Sequence, residues 1–152
     1  MLLFMKTKLK LSMFVRNYKV KGEDVNDFMI MQNFAYLSYS SKLIEAYLLE
    51  KGYPKMKLNS LKIGWQKSND QLLNKKHLMF AQEFSVRLNF DCNQIDENTI
   101  KTYIDFYNNK GELSATLTTD LQWFDYESWE LITPPKKIAQ HFTIQQKLRR
   151  AV

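Results

Sequence analysis

Cysteine, histidine, proline and glycine are all scarce in this sequence of 152 residues, which has one, two, three and four of them respectively. The lone cysteine, Cys92, excludes an intrachain disulfide bridge and fits a reducing compartment such as the cytoplasm. With only His77 and His141 as histidines, no Cys/His set has the spacing of metal ligands, so no metal site is expected. The scarcity of glycine and proline predicts a chain made mostly of helices and strands.

Long hydrophobic runs are also missing. Residues 1–5 are apolar, but Lys6 follows, and this stretch is too short for a signal-peptide core or a membrane span. A composition of 45% hydrophobic and 25% charged residues is ordinary for a globular protein, and the length suffices for one domain with its own core. We expect a single domain over residues 1–152, with a core over about 8–135 and a basic helix or tail over 136–152.

Positive charge exceeds negative charge, with a formal net charge of +6. Such an excess favours an acidic partner, which could be a nucleic acid, a membrane surface or a phosphate-bearing ligand. No nucleic-acid-binding motif and no dense Lys/Arg cluster occurs, which argues against nucleic acid. The alternative is that the charge serves solubility alone, because net charge governs association and not fold.

The first predicted element is a strand over residues 8–21, where side chains alternate in character. The face expected to be buried carries Leu9, Leu11, Met13 and Val15, and the opposite face carries Lys8, Lys10, Ser12 and Phe14. Gly22 is expected to close this strand.

A long helix is predicted over residues 33–51. Apolar residues three and four positions apart define it, at Leu37, Leu43, Ile44, Tyr47 and Leu48. It is apolar on more than one side, which predicts that other structure surrounds it. Gly52 ends it as a C-terminal cap residue, and Pro54 prevents its continuation.

Four strand-like segments follow the helix, over residues 61–72, 78–92, 98–107 and 112–124. The run Asn108-Asn109-Lys110-Gly111 predicts a tight hairpin between the last two, and Pro134-Pro135 is expected to end the sheet. One helix before an antiparallel run of strands predicts an α+β fold, with the helix packed on one face of the sheet.

Four motifs occur in order along the chain: Glu23-Asp24 in an acidic loop, Tyr36-Leu37-Ser38-Tyr39 at the helix start, Tyr107-Asn108-Asn109-Lys110-Gly111-Glu112-Leu113 at the hairpin, and Phe124-Asp125 before Ile132-Thr133-Pro134-Pro135. This ordered set resembles the hotdog fold, specifically the acyl-CoA thioesterases of the 4-hydroxybenzoyl-CoA thioesterase type. The resemblance implies a five-stranded antiparallel sheet wrapped around one long helix. It also implies a homodimer or homotetramer with sites at the subunit interface, and hydrolysis of acyl-CoA or acyl-carrier-protein thioesters without a cofactor.

The loop before the helix departs from the family pattern. Many relatives carry a catalytic Asp in an Asp-x-x-Gly arrangement. In an alignment without gaps that Asp falls on Asn26, its glycine on Met29, and the following pair is Gln32-Asn33. An Asn at this position is similar to the enediyne polyketide thioesterases, whose loop reads Glu-Asp-Thr-Asn. The helix Arg that assists there aligns with Ile44, with Lys42 two residues earlier.

This resemblance makes Asn26, Asp24 and Glu45 the candidate catalytic residues. Asn26 cannot act as a base, but its amide could polarise a thioester carbonyl or position water; the alternative is an Asx-turn or a helix N-cap. Asp24 could supply the missing carboxylate, or could simply be solvated in the loop. Burial of Glu45 beside a neighbouring subunit would raise its pKa and make it a base; the alternative is an exposed helix face or a structural salt bridge.

Five further residues are candidates for substrate binding: Asp27, Gln32, Asn33, Tyr36 and Lys42. For Tyr36, packing of the helix is the favoured alternative. Lys42 could meet coenzyme A phosphates, as could Lys75, Lys76 and Arg87.

Three functions remain open at this point. The first is acyl thioester hydrolysis, in which the loop and the helix N-terminus hold the oxyanion and a carboxylate orients water. The second is a non-catalytic acyl-binding or interaction protein on the same fold, which Asn26 and the glycine replaced by Met29 favour. The third, an acyl-carrier-protein dehydratase, is weaker, because those relatives use a His with an acidic partner and neither His lies near the loop in sequence. Fold alone does not decide among them.

Overall fold

The computed structural model describes residues 14–91 and 99–142, so Cys92, residues 8–13 of the first predicted strand and the last part of the predicted tail lie outside the described residues. Six strands and three helices occur there: β1 (Phe14–Lys19), α1 (Asn33–Glu50), α2 (Lys55–Ser60), β2 (Ile63–Asn74), β3 (Glu83–Asp91), β4 (Thr99–Asn108), β5 (Leu113–Asp125), β6 (Leu131–Ile132) and α3 (Lys136–Ala139). Short 3-10 turns lie over Gly22–Asp24 and Gln140–Phe142.

The strands form one antiparallel sheet in the order β1-β3-β4-β5-β2, and β6 pairs with the far end of β5. Helix α1 packs against one face of this sheet and contacts β1, β3 and β5. The α+β arrangement predicted from the order of the elements is therefore confirmed. Strand β2 is one edge of the sheet, and within the described chain β5 is its one neighbour.

The core lies between α1 and the sheet. On the strands, buried and half-buried side chains alternate, as in β4 and β5, which is the period-two pattern of a sheet covered on one face. On the helix, the buried residues are Ala35, Tyr36, Tyr39, Ser40, Leu43, Ile44, Tyr47 and Leu48. Each large apolar side chain fully buried here stabilises the fold by roughly 1.5–3 kcal/mol relative to exposure. Other structure thus covers this helix, as its apolar residues on more than one side predict.

The C-terminus of α1 is a Schellman motif, as Gly52 predicts. Gly52 has φ of +92°, a left-handed conformation that glycine adopts without a Cβ penalty. Its N–H donates to Leu49 O at 3.0 Å, and the N–H of Tyr53 donates to Leu48 O at 2.7 Å. Pro54 then begins the short helix α2, which the sequence did not predict.

The predicted orientation of the first strand is wrong where it is described. Phe14 is buried and Val15 is exposed, the reverse of the expected faces. The reason is tertiary: the Phe14 ring packs edge-on against Tyr47 of α1, with the two centroids 5.2 Å apart. The strand also ends at Lys19, before Gly22.

The predicted strand over residues 78–92 begins later, at Glu83. Its first part is a loop that joins the segment before α1 through an isolated bridge between Ile30 and Met79. Ile138 and Phe142 are both buried, so residues 136–142 contribute to the core. The described helices include none that is both long and apolar enough to cross a membrane.

Candidate functional site

The segment before α1 is a short closed loop. A 3-10 turn over Gly22–Asp24 leads into it, and an antiparallel bridge between Val25 and Met31 joins its two ends. The N–H of Gln32, the residue before α1, donates to Asp24 O at 2.9 Å and so joins the helix start to the end of the 3-10 turn. Loop and helix start are therefore one rigid unit.

Asn26 organises the interior of this loop. Its Oδ1 accepts hydrogen bonds from the N–H groups of Phe28 at 2.9 Å and Ile30 at 3.1 Å. Its own N–H donates to Ile30 O at 3.0 Å. The Asx-turn interpretation is thus present, and the N-cap of α1 is Gln32 and not Asn26. The side chain is exposed, and none of the described residues accepts a hydrogen bond from its Nδ2, so this amide remains a possible donor to a ligand.

Met29, in the same loop, has φ of +65°. This is the left-handed region, which glycine enters readily and other residues enter at a cost of about 1–2 kcal/mol. The conformation explains why a glycine suits this position in the family pattern to which the loop was aligned.

Asp24 faces inward. Its carboxylate is buried, and Oδ2 accepts hydrogen bonds from the Tyr39 hydroxyl at 2.6 Å and from the Lys21 N–H at 2.9 Å. Burial, and then the bond to Asp24, raise the pKa of the Tyr39 hydroxyl. Asp24 therefore fixes the start of the loop to α1, and it lines none of the cavities described below.

A cavity of about 340 Å³ opens at the N-terminus of α1. Its walls are Ile30, Met31, Gln32, Asn33, Phe34, Asn74 and His77. The first N–H groups of α1 have no side-chain cap, and the Gln32 amide instead donates to Ile30 O at 2.9 Å. Uncapped N–H groups and the helix dipole together favour negative charge or a polarised carbonyl at this point.

His77 is a wall residue that the sequence analysis did not place here. It arrives because the chain after β2 pairs with the loop before α1: Met31 N–H donates to Leu78 O at 2.8 Å, and Phe80 N–H donates to Met29 O at 2.9 Å. This pairing joins segments about fifty residues apart, and no local sequence motif predicts it. His77 is exposed and lines the cavity together with Gln32 and Asn33.

Glu45 and Lys42 lie elsewhere. Both are exposed and line a second cavity, of about 610 Å³, between α1, α2 and the start of β2, with Tyr53, Trp65 and Tyr126 among its other walls. The Lys42 ammonium also lies 4.9 Å from the centroid of the Tyr39 ring. In a single chain, the burial on which the proposed role of Glu45 depends is not present.

The remaining predicted residues, Asp27, Asn33 and Tyr36, lie in different surroundings. Asp27 is exposed in the loop, and Asn33 Oδ1 accepts a hydrogen bond from Asn74 Nδ2 at 3.3 Å. Tyr36 is buried with its ring 5.0 Å from that of Phe106, and burial raises its pKa. Its side chain therefore packs the core, the alternative that the sequence favoured.

A second polar cluster, also missed, joins the edge strand β2 to α1. The Lys67 ammonium donates to Leu37 O at 3.0 Å and to the buried Ser40 Oγ at 2.7 Å, and it lies 4.0 Å from Asp70 Oδ2. Burial lowers the pKa of Lys67, and the Asp70 carboxylate opposes that shift. Across residues 14–91 and 99–142, by contrast, no group of three or more His, Cys, Asp or Glu side chains could hold a metal ion.

Comparison with known proteins identifies the fold. A family profile described as the Thioesterase-like superfamily matches residues 20–142. None of the curated protein sequences matches the chain. The sheet and its packed helix are those of the hotdog fold that this superfamily shares, which confirms the fold class predicted from the sequence.

Three solved structures illustrate the likeness. A DHNA-CoA thioesterase from Staphylococcus aureus superposes with a TM-score of 0.81 at 13% identity, over 91% of this chain and 94% of that one. A hypothetical protein from the same organism, in complex with CoA, has a TM-score of 0.80 at 13% identity, over 89% and 84%. A 1,4-dihydroxy-2-naphthoyl-CoA thioesterase from Synechocystis has a TM-score of 0.77 at 10% identity, over 87% and 96%. At these identities the likeness establishes the fold alone.

Proposed function

The chain belongs to the thioesterase-like superfamily, and on that premise we propose that it hydrolyses acyl thioesters of coenzyme A or of an acyl carrier protein. The observation that carries the proposal is the arrangement at the start of α1. The uncapped helix N-terminus opens into a cavity of about 340 Å³, and Asn26, whose Nδ2 has no described acceptor, is hydrogen-bonded through its Oδ1 to the N–H of the wall residue Ile30. Donors fixed in this way stabilise the oxyanion that forms when a thioester carbonyl is attacked.

The chemistry needs a nucleophile besides these donors. In the proposed reaction a water oxygen bonds to the thioester carbon, the C–S bond breaks, and the products are a carboxylic acid and a thiol. A group that accepts the proton of water must stand at the cavity. Asp24 is buried and bonded within the fold, and Glu45 lines the other cavity, so we assign this role to His77 and a positioning role to Asp24.

Assembly is part of the proposal. The outer side of β2 has no paired strand in the described chain, and an open sheet edge is normally covered. We propose that two copies pair into a homodimer, or associate further into a tetramer, with the sites beside the interface. Light scattering at micromolar concentration should give a dimer or larger species; a monomer would count against this assembly.

The alternative function is a non-catalytic acyl-binding or interaction protein. Two observations favour it. The Oδ1 of Asn26 already accepts two hydrogen bonds from backbone N–H groups of the loop, and no described carboxylate side chain lines the cavity at α1. A hydrolysis panel of acyl-CoA and acyl-carrier-protein thioesters of varied length separates the two functions. Turnover of any member supports the thioesterase, and binding without turnover supports the alternative.

Variants at Asn26 and His77 test the site itself. Asn26→Ala should lower kcat by roughly a hundred- to a thousandfold, the usual effect of removing one oxyanion donor. Asn26→Asp is the matched variant, because its carboxylate still accepts the two loop hydrogen bonds but cannot donate from Nδ2. A loss of kcat in Asn26→Asp at unchanged stability means that the amide donor is used; a gain means that a carboxylate serves better there. His77→Gln should lower kcat strongly and leave KM nearly unchanged, because the variant lacks the ring nitrogen proposed to accept the proton of water.

A further inference from the structure

Five lysines gather around the C-terminal end of α1. Lys51 follows the last residue of α1, Lys55 and Lys57 lie on α2, and Lys136 and Lys137 begin α3. The two stretches that carry them, residues 51–60 and 131–142, contain no aspartate or glutamate. These stretches are far apart along the chain, so no dense run of lysines marks them in the sequence. We call these five residues the lysine cluster.

Contacts around Tyr53 hold the two stretches together. The centroids of the Tyr53 and His141 rings are 6.1 Å apart, and the Lys57 ammonium lies 4.7 Å from the Tyr53 centroid. Burial, and then the positive charge of Lys51, lower the pKa of His141, so this charge too lies near the ring. The two lysines of α3 precede His141 by about one helical turn. The positive charges are therefore neighbours in space.

The described carboxylates do not neutralise the lysine cluster. None of its ammonium groups forms an ion pair with a described residue, whereas lysines elsewhere on the surface do. Glu50, at the end of α1, is paired with Arg16 at 3.7 Å. Glu45 lines a cavity with Lys55, but Lys42 lines the same cavity. An excess of positive charge therefore remains at this surface.

An aliphatic side chain protrudes from the lysine cluster. Met56 lies between the two lysines of α2 and is 84% exposed. Leu58 of the same helix is 4% exposed and packs into the core. Two positions on a helix differ by about 200° around its axis, so Met56 lies on the side turned away from the core. Helix α2 thus presents one apolar side chain flanked by cations.

We propose that the lysine cluster and Met56 dock on the surface of an anionic lipid membrane. The ammonium groups lie against the charged headgroups, where each lysine strengthens membrane binding roughly fivefold. The Met56 side chain enters the boundary between headgroups and acyl chains. This inference goes beyond the proposed hydrolysis of thioesters and does not depend on it.

The residue types in the lysine cluster favour lipid over other anionic partners. All its cations are lysines, whereas protein interfaces are depleted of lysine and planar recognition of a single phosphate favours the fork of arginine. Its protruding apolar residue is aliphatic, and the nearby rings of Tyr47 and Tyr53 are buried, so they offer no face on which a nucleic-acid base could stack. Lysines around an exposed aliphatic side chain suit a surface that is charged outside and apolar beneath.

Flotation of the full chain with lipid vesicles tests the proposal. We expect binding to vesicles in which about a third of the lipid is phosphatidylserine, and much weaker binding to vesicles of phosphatidylcholine alone. The double variant Lys55→Gln/Lys57→Gln should lower the partition coefficient for the anionic vesicles roughly 25-fold, or fivefold for each lysine removed. Lys19→Gln/Lys110→Gln is the matched control. It removes the same charge from exposed positions outside the lysine cluster and should retain most of the affinity.

Met56→Ser separates insertion from charge. This variant should weaken binding to the anionic vesicles severalfold, because the apolar side chain no longer enters the lipid. Its loss should persist as salt is added, whereas salt should shrink the difference between the lysine variant and the unaltered protein. Phe28→Ser is the control, since Phe28 is 78% exposed elsewhere on the surface, and it should bind as the unaltered protein does.

Absence of binding to the anionic vesicles overturns the proposal. Equal losses in the two double variants also overturn it, because net charge and not the lysine cluster would then govern binding. If the chain instead binds a single-stranded oligonucleotide or an acidic carrier protein through Lys55 and Lys57, and no vesicles, the lysine cluster serves that partner and the proposal is wrong. The vesicles contain no thioester, so these outcomes are independent of whether the protein hydrolyses one.

Discussion

The Tyr39 hydroxyl donates a hydrogen bond of 2.6 Å to Oδ2 of Asp24, and both side chains are buried. One residue belongs to α1 and the other to the 3-10 turn that opens the loop. The bond therefore sets the distance between the helix and the loop that carries Asn26. The described hydrogen bonds of the Asp24 carboxylate, which the sequence predicts to be catalytic, are therefore made within the fold.

Replacement of Tyr39 by Phe tests this contact. Tyr39→Phe leaves the buried Asp24 carboxylate with one donor fewer, and it should lower the free energy of unfolding by about 2 kcal/mol. Tyr126→Phe is the control, because the Tyr126 ring packs on Phe124 without a described hydrogen bond from its hydroxyl. The free energies of unfolding of both variants are measured by urea denaturation. Equal midpoints for the two variants would contradict a stabilising role of the Tyr39–Asp24 hydrogen bond.

The same contact predicts a response to alkaline pH. The pKa of Tyr39 is raised, so its contribution to stability is complete below the ordinary value of about 10 and is lost as pH rises through the raised pKa. The free energy of unfolding of the unaltered protein should therefore fall above about pH 10. Tyr39→Phe should show a smaller fall over the same range.

For Lys67 we expect the free energy of unfolding to change with pH in the opposite direction. Its pKa is lowered by burial, so between that lowered pKa and the ordinary value of about 10.4 the unfolded chain binds more protons than the folded one. Stability should rise with pH across this interval. Lys67→Met, which keeps the length of the side chain, should abolish the rise, whereas Lys101→Met, at a more exposed pair with Asp120, should retain it.

Gly64 is predicted to be intolerant of any side chain. It lies directly opposite Phe124 across β2 and β5, and a Cβ at Gly64 would come 2.6 Å from Cζ of that ring. Gly64→Ala must therefore displace Phe124, at a cost of roughly 1–3 kcal/mol. The double variant with Phe124→Leu should recover part of this loss, and additive effects in the double-mutant cycle would contradict direct contact.

Salt tests the meaning of the net charge of +6. If the charge attracts coenzyme A or a carrier protein, KM for the best substrate should rise with ionic strength while kcat stays nearly constant, because screening weakens ground-state attraction. A KM independent of salt would assign the charge to solubility.

The elements that could be predicted from the sequence are those set by local chemistry. Gly52 ends α1, and the hairpin between β4 and β5 turns at Gly111, whose φ is +77°. The faces of β1 could not be predicted, because they depend on Tyr47, which lies more than thirty residues away in sequence. The short elements α2 and β6 have too few residues to carry a periodic pattern.

In the candidate site too, residues placed by local sequence could be predicted and residues placed by distant contacts could not. Gln32 and Asn33, which line the cavity at α1, and Asn26, which holds the loop before it, could be found because loop and helix start are adjacent in sequence. His77 and Lys67 could not, since each reaches α1 through pairing with distant segments. Glu45 lies on the expected helix, but sequence alone could not reveal that it lines a different cavity.

The burial of Phe142 has a consequence for synthesis on the ribosome. Its ring packs against Tyr47, Phe90 and Trp123, and the Tyr47 hydroxyl donates to His141 O across 94 positions of sequence. Helix α1 is synthesised well before the residues that cover this part of it. A nascent chain that stops before α3 leaves this part of the core open to water, so native packing around Tyr47 must wait until Phe142 has been synthesised.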